Sequence, residues 1–516
     1  MFFDAYLSID RRLLGIFRIY FGLVLFGDLF YHGSKASLFY SNDGILSNHR
    51  VLFSPQALHQ FSLLNAFSSP GAAQLAFVLI AVVYAFYLVG YKTRWAQLLA
   101  LISVASIDAR NLFAEDGGCI TINLVATWTL FLPLGDRFSL DALERKAQRR
   151  VLGLVGEDER DAVHTVQSLA VLAILLQAAT IYFFNAVHKN GPAWMTGNAI
   201  HQVLWQNRCN TPLAGWLRYH EPSWLSPVLT WSTLLIEINL PVLILMPIAR
   251  RVCRSAAFVM AVLLHGSIAF VMTLGVFSYV MIALMMLVIP HEVIAIIATR
   301  LSSTKLAASV ERWTLRAVDL WSRIDQRGLL ERFTTPPSLE SRAFFGAMRE
   351  GFLALLIVAS GYQVLRLNDA VPVWMRPPAI DPFERMTGYI RLSQGWRMFA
   401  PDTPSIDGIM IIDAVTADGR HLDPFTGKPP DFDILFHGPF DYPILVADYL
   451  FVLGSADNAW ARDELGRYIL SWQQTTRRPA RDRVVHFDAY LMVSEAPAPG
   501  STQITVLRKE LLFSGP

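Results

Sequence analysis

Apolar residues fall in long blocks over roughly the first 365 positions and thin out beyond them. A membrane-crossing helix needs about 20 mostly apolar residues, and shorter cores can cross when their flanks help. Nine blocks meet that description: Leu13–Phe30, Ala72–Gly90, Trp95–Ile107, Cys119–Leu134, Val166–Phe184, Pro227–Pro247, Ala256–Met272, Gly275–Pro290 and Phe352–Leu365. The first is read as an uncleaved span. Its core is longer than a signal-peptide apolar region, Arg18 interrupts it, and no small-residue cleavage site follows.

From about residue 366 prolines, aspartates and β-formers dominate. Gly408–Thr416 alternates, Asp418-Gly419 is a hairpin turn signal, and Val484–Val493 and Gln503–Leu507 read as further strands. The pattern therefore predicts an all-α polytopic membrane bundle of about nine helices with a C-terminal β-rich extracytoplasmic domain. The expected division is a transmembrane domain over 1–300, a basic amphipathic cytoplasmic linker over 301–351, a last transmembrane helix over 352–365, and the β-rich domain over 366–516.

Charge sets the expected orientation, because Lys and Arg concentrate in cytoplasmic loops. Arg11 and Arg12 precede the first block, whereas the loop after it holds only Lys35 and Arg50. A basic loop carries Arg137, Arg145, Lys146, Arg149, Arg150 and Arg160, and a later one carries Arg250, Arg251 and Arg254. The stretch 291–351 has nine Lys and Arg, among them Arg312, Arg316, Arg323 and Arg327, and reads as helices lying on the cytoplasmic lipid face. Dense and sparse loops alternate. That places the N-terminus in the cytoplasm and the C-terminal domain outside.

Composition agrees. Of 516 residues 53% are hydrophobic and 17% charged, and the mean hydropathy is +0.38. A soluble domain carries roughly a quarter charged residues. The net charge of +2 leaves no nucleic-acid footprint. Cys119, Cys209 and Cys253 form no CxxC pair and no metal-ligand spacing, there is no HExxH, and His201 and His220 have no partner at a metal-ligand spacing, so no metal is expected.

Charged residues inside a bilayer are expensive and are candidates for function. Glu237 sits in the middle of Pro227–Pro247, and His265 near the middle of the next block. Antiparallel packing of those helices would set a carboxylate beside an imidazole, either as a proton-handling pair or as an interhelical hydrogen bond. Arg18 and Asp28 lie about 15 Å apart along one helix, too far to pair. Arg18 can snorkel to the cytoplasmic face and Asp28 can reach water outside. Lys189 follows the fifth block at the outer boundary, after His188. A partly desolvated amine there can act as a base or nucleophile, or can simply snorkel. Trp194 and Trp205 can anchor at the interface.

Several stretches together resemble one family. They are Arg18 to Asp28 with Phe39-Tyr-Ser-Asn-Asp-Gly-Ile-Leu46, Phe131-Leu-Pro-Leu-Gly135 with Ser139-Leu-Asp141, Tyr182-Phe-Phe-Asn-Ala-Val-His188-Lys189 with Trp194 and Gly197, Leu264-His265 through Met281, and Gly395-Trp-Arg-Met-Phe399. Their order resembles the HTTM (horizontally transferred transmembrane) family, the membrane domain shared with vitamin K-dependent γ-glutamyl carboxylase. The resemblance is good over roughly 10–300 and loose beyond.

In the carboxylase, a lysine in the segment resembling His188-Lys189 deprotonates vitamin K hydroquinone. Oxygen then converts the quinol to a strong base, which removes a γ-proton of a protein glutamate, and carbon dioxide adds to the carbanion. The resemblance thus implies Lys189 as the base and a reduced quinone as cofactor. His188, which stands where the carboxylase has a partner lysine, is expected to act beside it as a catalytic residue, and Glu237, His265 and Arg18, singled out by their charge within apolar blocks, are the further pocket candidates. The chain departs from the carboxylase at Asp116-Gly-Gly-Cys119-Ile, where the family's functional histidine is absent. The expected partners are the lipid bilayer and an exported protein or peptide. A non-catalytic scaffold or maturation factor for a secreted partner is the alternative, and a proton-linked transporter using Glu237 and His265 ranks third.

Overall fold

A computed structural model describes residues 4–53, 60–111, 113, 116–151, 163–325, 339–440 and 442–516. The bundle is built from α1 (Arg11–Gly33), α2 (Pro70–Val89), α3 (Thr93–Arg110), α4 (Gly117–Thr129), α5 (Leu169–His188), α6 (Leu225–Leu245), α7 (Arg250–Val271), α8 (Phe277–Met286), α9 (His291–Ser302), α10 (Lys305–Asp325) and α11 (Leu339–Leu367). Short polar side chains start many of them. Asp10 accepts from the Arg12 N–H, Ser69 from Ala72, Asp116 from Cys119 and Ser168 from Ala170. Gly90 ends α2 with φ +69°, and a Cβ there would lie 2.5 Å from the Arg18 guanidinium. The position needs glycine both for its left-handed backbone and for this close approach.

Among the described residues, six helices are long and apolar enough to cross a membrane: α1, α2, α5, α6, α7 and the Ala343–Leu367 part of α11. α8 and α9 make a seventh only as a pair bent by 90°. Two of the nine expected spans fall short. α3 contains Arg94, Gln97, Asp108 and Arg110, and α4 is only 13 residues long. The reason is position. Eleven of the 13 residues of α4 are buried, against six of 20 in α2. A helix enclosed by other helices needs packing and hydrogen bonds more than hydrophobicity, whereas a lipid-facing helix must be apolar all along.

Contacts at the helix ends sort the connections into two groups. At one end Ser62 donates to the Ser106 carbonyl (2.5 Å) and Arg110 to the Leu46 carbonyl (2.7 Å), and Trp194 donates to the Phe399 carbonyl (2.8 Å). At the other end Arg11 pairs with Asp136, and the Asp141 carboxylate accepts from the Lys92 and Thr93 N–H groups. Glu350 accepts from the Leu169 N–H at that end, and Tyr6 donates to the Leu245 carbonyl. Strands β1 (Ser8–Asp10) and β2 (Thr165–Gln167) pair there as well. So does α10, through Arg150 and Asp319 (3.6 Å). Residues 326–338, including Arg327, lie outside the described residues. The helix expected over 352–365 is part of the longer α11.

The C-terminal region is more mixed than β-rich. Its sheet has the antiparallel order β4 (His421–Leu422), β3 (Ile406–Thr416), β5 (Val484–Glu495), β6 (Thr505–Gly515). Gly419, at φ +81°, turns β3 into β4. Helices α12 (Ile444–Leu453) and α13 (Arg462–Thr475) cover the face that carries Phe487 and Leu491, where Gly466 and Gly454 approach those side chains. Phe432 packs edge-on against Tyr490 of the other face, 5.3 Å between ring centres. With both faces covered, Ile409–Ile412 are all fully buried. The alternation expected for a half-buried strand is accordingly replaced by a continuous apolar run.

Candidate functional site

Lys189 caps the C-terminal end of α5, and its ammonium lies between two elements. Its Nζ donates to both carboxylate oxygens of Glu237 on α6, at 2.5 and 2.6 Å, and stands 4.7 Å from the Trp194 ring centre. Both side chains are buried, 5% and 9% exposed. Removing two charges from water is offset only by good geometry and further partners. The two-oxygen contact and the aromatic face supply them. Pro241, one turn beyond Glu237, has no N–H to give to the Glu237 carbonyl, a local weakening of α6 at the charged residue.

His265 lies on α7. Its Nε2 bonds the Tyr182 hydroxyl of α5 at 2.8 Å, its ring meets Phe277 edge-on, and its buried Nδ1 has no hydrogen-bond partner. Lys189, Glu237, Tyr182 and His265 all line one cavity of about 250 Å³. Most of the remaining wall is apolar, including Ile268, Met272, Phe277, Met281 and Phe399. The size is close to the lower end of small-molecule sites, about 300–1,000 Å³. The expected contact between Glu237 and His265 takes another form. Each meets a residue of α5, Glu237 through Lys189 and His265 through Tyr182, on the wall of a shared cavity.

The roof comes from the C-terminal region. Asn185 accepts from the Met398 N–H (3.1 Å), Trp194 Nε1 donates to the Phe399 carbonyl, and the Gly191 N–H donates to the Pro401 carbonyl (2.8 Å). Asp402 accepts from the Ala193 N–H at 3.0 Å. Met398 and Phe399 line the cavity, a role the sequence did not announce although the Gly395–Phe399 stretch was conspicuous.

The other expected site residues lie elsewhere. His188 is not on the cavity wall. Its Nδ1 bonds the Trp396 carbonyl (2.7 Å) and its Nε2 accepts from the Ala370 N–H (3.1 Å). That fixes a neutral ring with the proton on Nδ1, tying α5 to the roof. Arg18 is at the opposite end of the bundle. It donates to the carbonyls of Leu134 (3.1 Å), Arg137 (3.3 Å) and Phe138 (2.5 Å). Asp28, expected at water, is 2% exposed and stands 3.5 Å from His32. Trp205 packs against Arg218 (4.6 Å).

A bundle with several membrane-length helices and a buried ion pair on a roofed cavity defines a multi-pass membrane protein with an internal site. Residues 6–292 match the HTTM domain, more than half of the chain, and the chain belongs to that family. No curated protein and no solved structure matches it.

Proposed function

We propose that this HTTM-family membrane protein is a carboxylase-like modifier of exported proteins or peptides that takes a reduced quinone into the Lys189 cavity. In this reading the chain crosses the membrane nine times, with its N-terminus in the cytoplasm and the 366–516 domain outside. The sorting of helix ends into two groups supports that topology, since the connections bearing Arg11, Arg137, Arg145 and Arg250 share one end.

The observation that carries the proposal is the buried Lys189–Glu237 pair on an otherwise apolar wall. The pair sets an amine and a carboxylate, the two side-chain types that exchange protons with a bound reactant, side by side at the edge of the cavity, within reach of an acidic hydroxyl held there. His265 Nδ1 and the Tyr182 hydroxyl can hold an oxygen on the facing wall. The apolar side chains suit a fused aromatic ring, and the roof residues Met398 and Phe399 limit water. A reduced quinone, when bound, supplies together with oxygen the strong base that removes a glutamate γ-proton.

The test is incorporation of labelled carbon dioxide into a glutamate-rich peptide by purified protein with a reduced quinone and bicarbonate. Wild type incorporates label and Lys189→Ala does not. No incorporation by wild type across several quinones removes the catalytic claim.

A second reading, a non-catalytic maturation scaffold, is favoured by the completeness of the ion pair, which can serve purely to join α5 to α6. Capture of one dominant exported partner that survives Lys189→Ala supports it.

A further inference from the structure

We propose that His32, Asp108 and Cys119, with Asp28 beside them, form a binding site for a divalent transition-metal ion, zinc foremost. The three residues come from α1, α3 and α4, so no spacing in the sequence brings them together. One ligand atom from each lies within 4.8 Å of the others. Tetrahedral zinc with bonds of about 2.0–2.3 Å sets its ligand atoms about 3.3–3.8 Å apart, a closure of roughly an ångström. All three are buried: 1%, 3% and 4% exposed.

Two orphaned atoms point to a missing ligand. The His32 Nδ1 is engaged with the Tyr40 hydroxyl at 2.8 Å, which leaves Nε2 as its second ring nitrogen. That Nε2 has no hydrogen-bond partner and stands 3.5 Å from Asp28 Oδ1. Asp28 Oδ2 is likewise buried without a hydrogen-bond partner. Buried polar atoms of native proteins are satisfied as a rule, and exceptions call for a cause. An ion accepting the Nε2 lone pair and a carboxylate oxygen answers both vacancies at once.

The surroundings have the character of an outer coordination layer. Tyr40 fixes the His32 ring through its far nitrogen, as metal-bound histidines require. Asn123 donates to Asp108. Asp116 accepts from the Cys119 N–H at 2.9 Å. The donor set of one nitrogen, one sulfur and carboxylate oxygens fits zinc and related ions and disfavours calcium and magnesium. Two carboxylates and a thiolate sum to three negative charges, which a divalent ion reduces to one. Gly117 and Asp116 line the Lys189 cavity from the start of α4. The ion therefore pins three helix ends next to the cavity wall.

The full-length protein is purified in detergent without chelator and its metal content measured. Close to one zinc per chain is expected. His32→Gln and Cys119→Ser each weaken zinc by more than tenfold, and Tyr40→Phe, acting through His32, by about 10–100-fold. Cobalt loading of the stripped wild type gives a thiolate-to-cobalt charge-transfer band that Cys119→Ser lacks. The wild-type band decides the matter even where a variant fails to fold. Zinc that persists unchanged in both ligand variants belongs to another site and overturns the proposal. So does stripped wild type that binds neither zinc nor cobalt.

Discussion

Arg18 and Lys189 are both buried cations of the bundle, and their surroundings differ in kind. Arg18 meets three backbone carbonyls around the turn that follows α4, and Gly90 packs against its guanidinium. Lys189 meets one carboxylate and faces open space. Backbone carbonyls cannot take or release a proton, so the Arg18 arrangement is a clamp. A carboxylate can, and a cavity admits a reactant. Buried charge alone therefore says little about chemistry. A titratable partner and adjoining volume are what separate a site from a fastening.

Activity is expected to separate the two cations most widely. In the carbon dioxide assay Lys189→Ala is expected to lose about 10²–10⁴-fold, the usual share of a general base. Arg18→Met, where it folds, is expected to retain most of the activity. Equal losses would erase the distinction. Glu237→Gln leaves an ammonium without its counter-charge and is expected to destabilise by about 3–5 kcal/mol. Lys189→Met with Glu237→Leu should restore much of that. Denaturant melts of the single and double variants measure both, and a double variant no more stable than Glu237→Gln contradicts the pairing.

A third buried charge, outside the bundle, sharpens the contrast through pH. Burial pushes the Asp407 carboxyl of β3 up to about 6, against the Asn207 and Gly408 N–H bonds that lower it. The folded state thus binds the proton more tightly than the unfolded chain. Its stabilising contribution is fully present below about pH 4 and is lost as pH rises through about 6, by at most about 3 kcal/mol. Thermal melts across that window should show a smaller fall for Asp407→Asn than for wild type. The fall should not vanish, because burial raises Asp423 and Asp448 to about 6 as well. Identical slopes for the two proteins would count against it. The smallest effect belongs to the clamp itself. Arg18→Met removes charged hydrogen bonds and is expected to lower stability by about 1.5–3 kcal/mol without changing any pH profile of activity.

Much of this was legible in the chain. Long apolar blocks located the six membrane-length helices found among the described residues, because lipid contact demands hydrophobicity residue by residue. The strands at 406–416 and 484–495 and the turn at Gly419 were readable from β-formers and turn chemistry. Glu237 and His265 stood out because a charge or imidazole in an apolar block is costly, and Lys189 through the resemblance of the stretch Tyr182 to Lys189. The enclosed helices α3 and α4 lack the length or the apolar character of the other spans, since their partners are protein and their polarity follows from packing. Helices α12 and α13 escaped notice beside the strands they cover.

The sequence by itself determined which segments avoid water and which polar residues they carry, since transfer free energy is a property of local composition. Only the tertiary structure decided how those polar residues pair. It gave Lys189 to Glu237, Tyr182 to His265, His188 to the backbone of the roof, and His32 to the company of Asp108 and Cys119. Pairing depends on which helix faces meet at which depth, and that is fixed by the packing of all the helices together, which no single segment encodes.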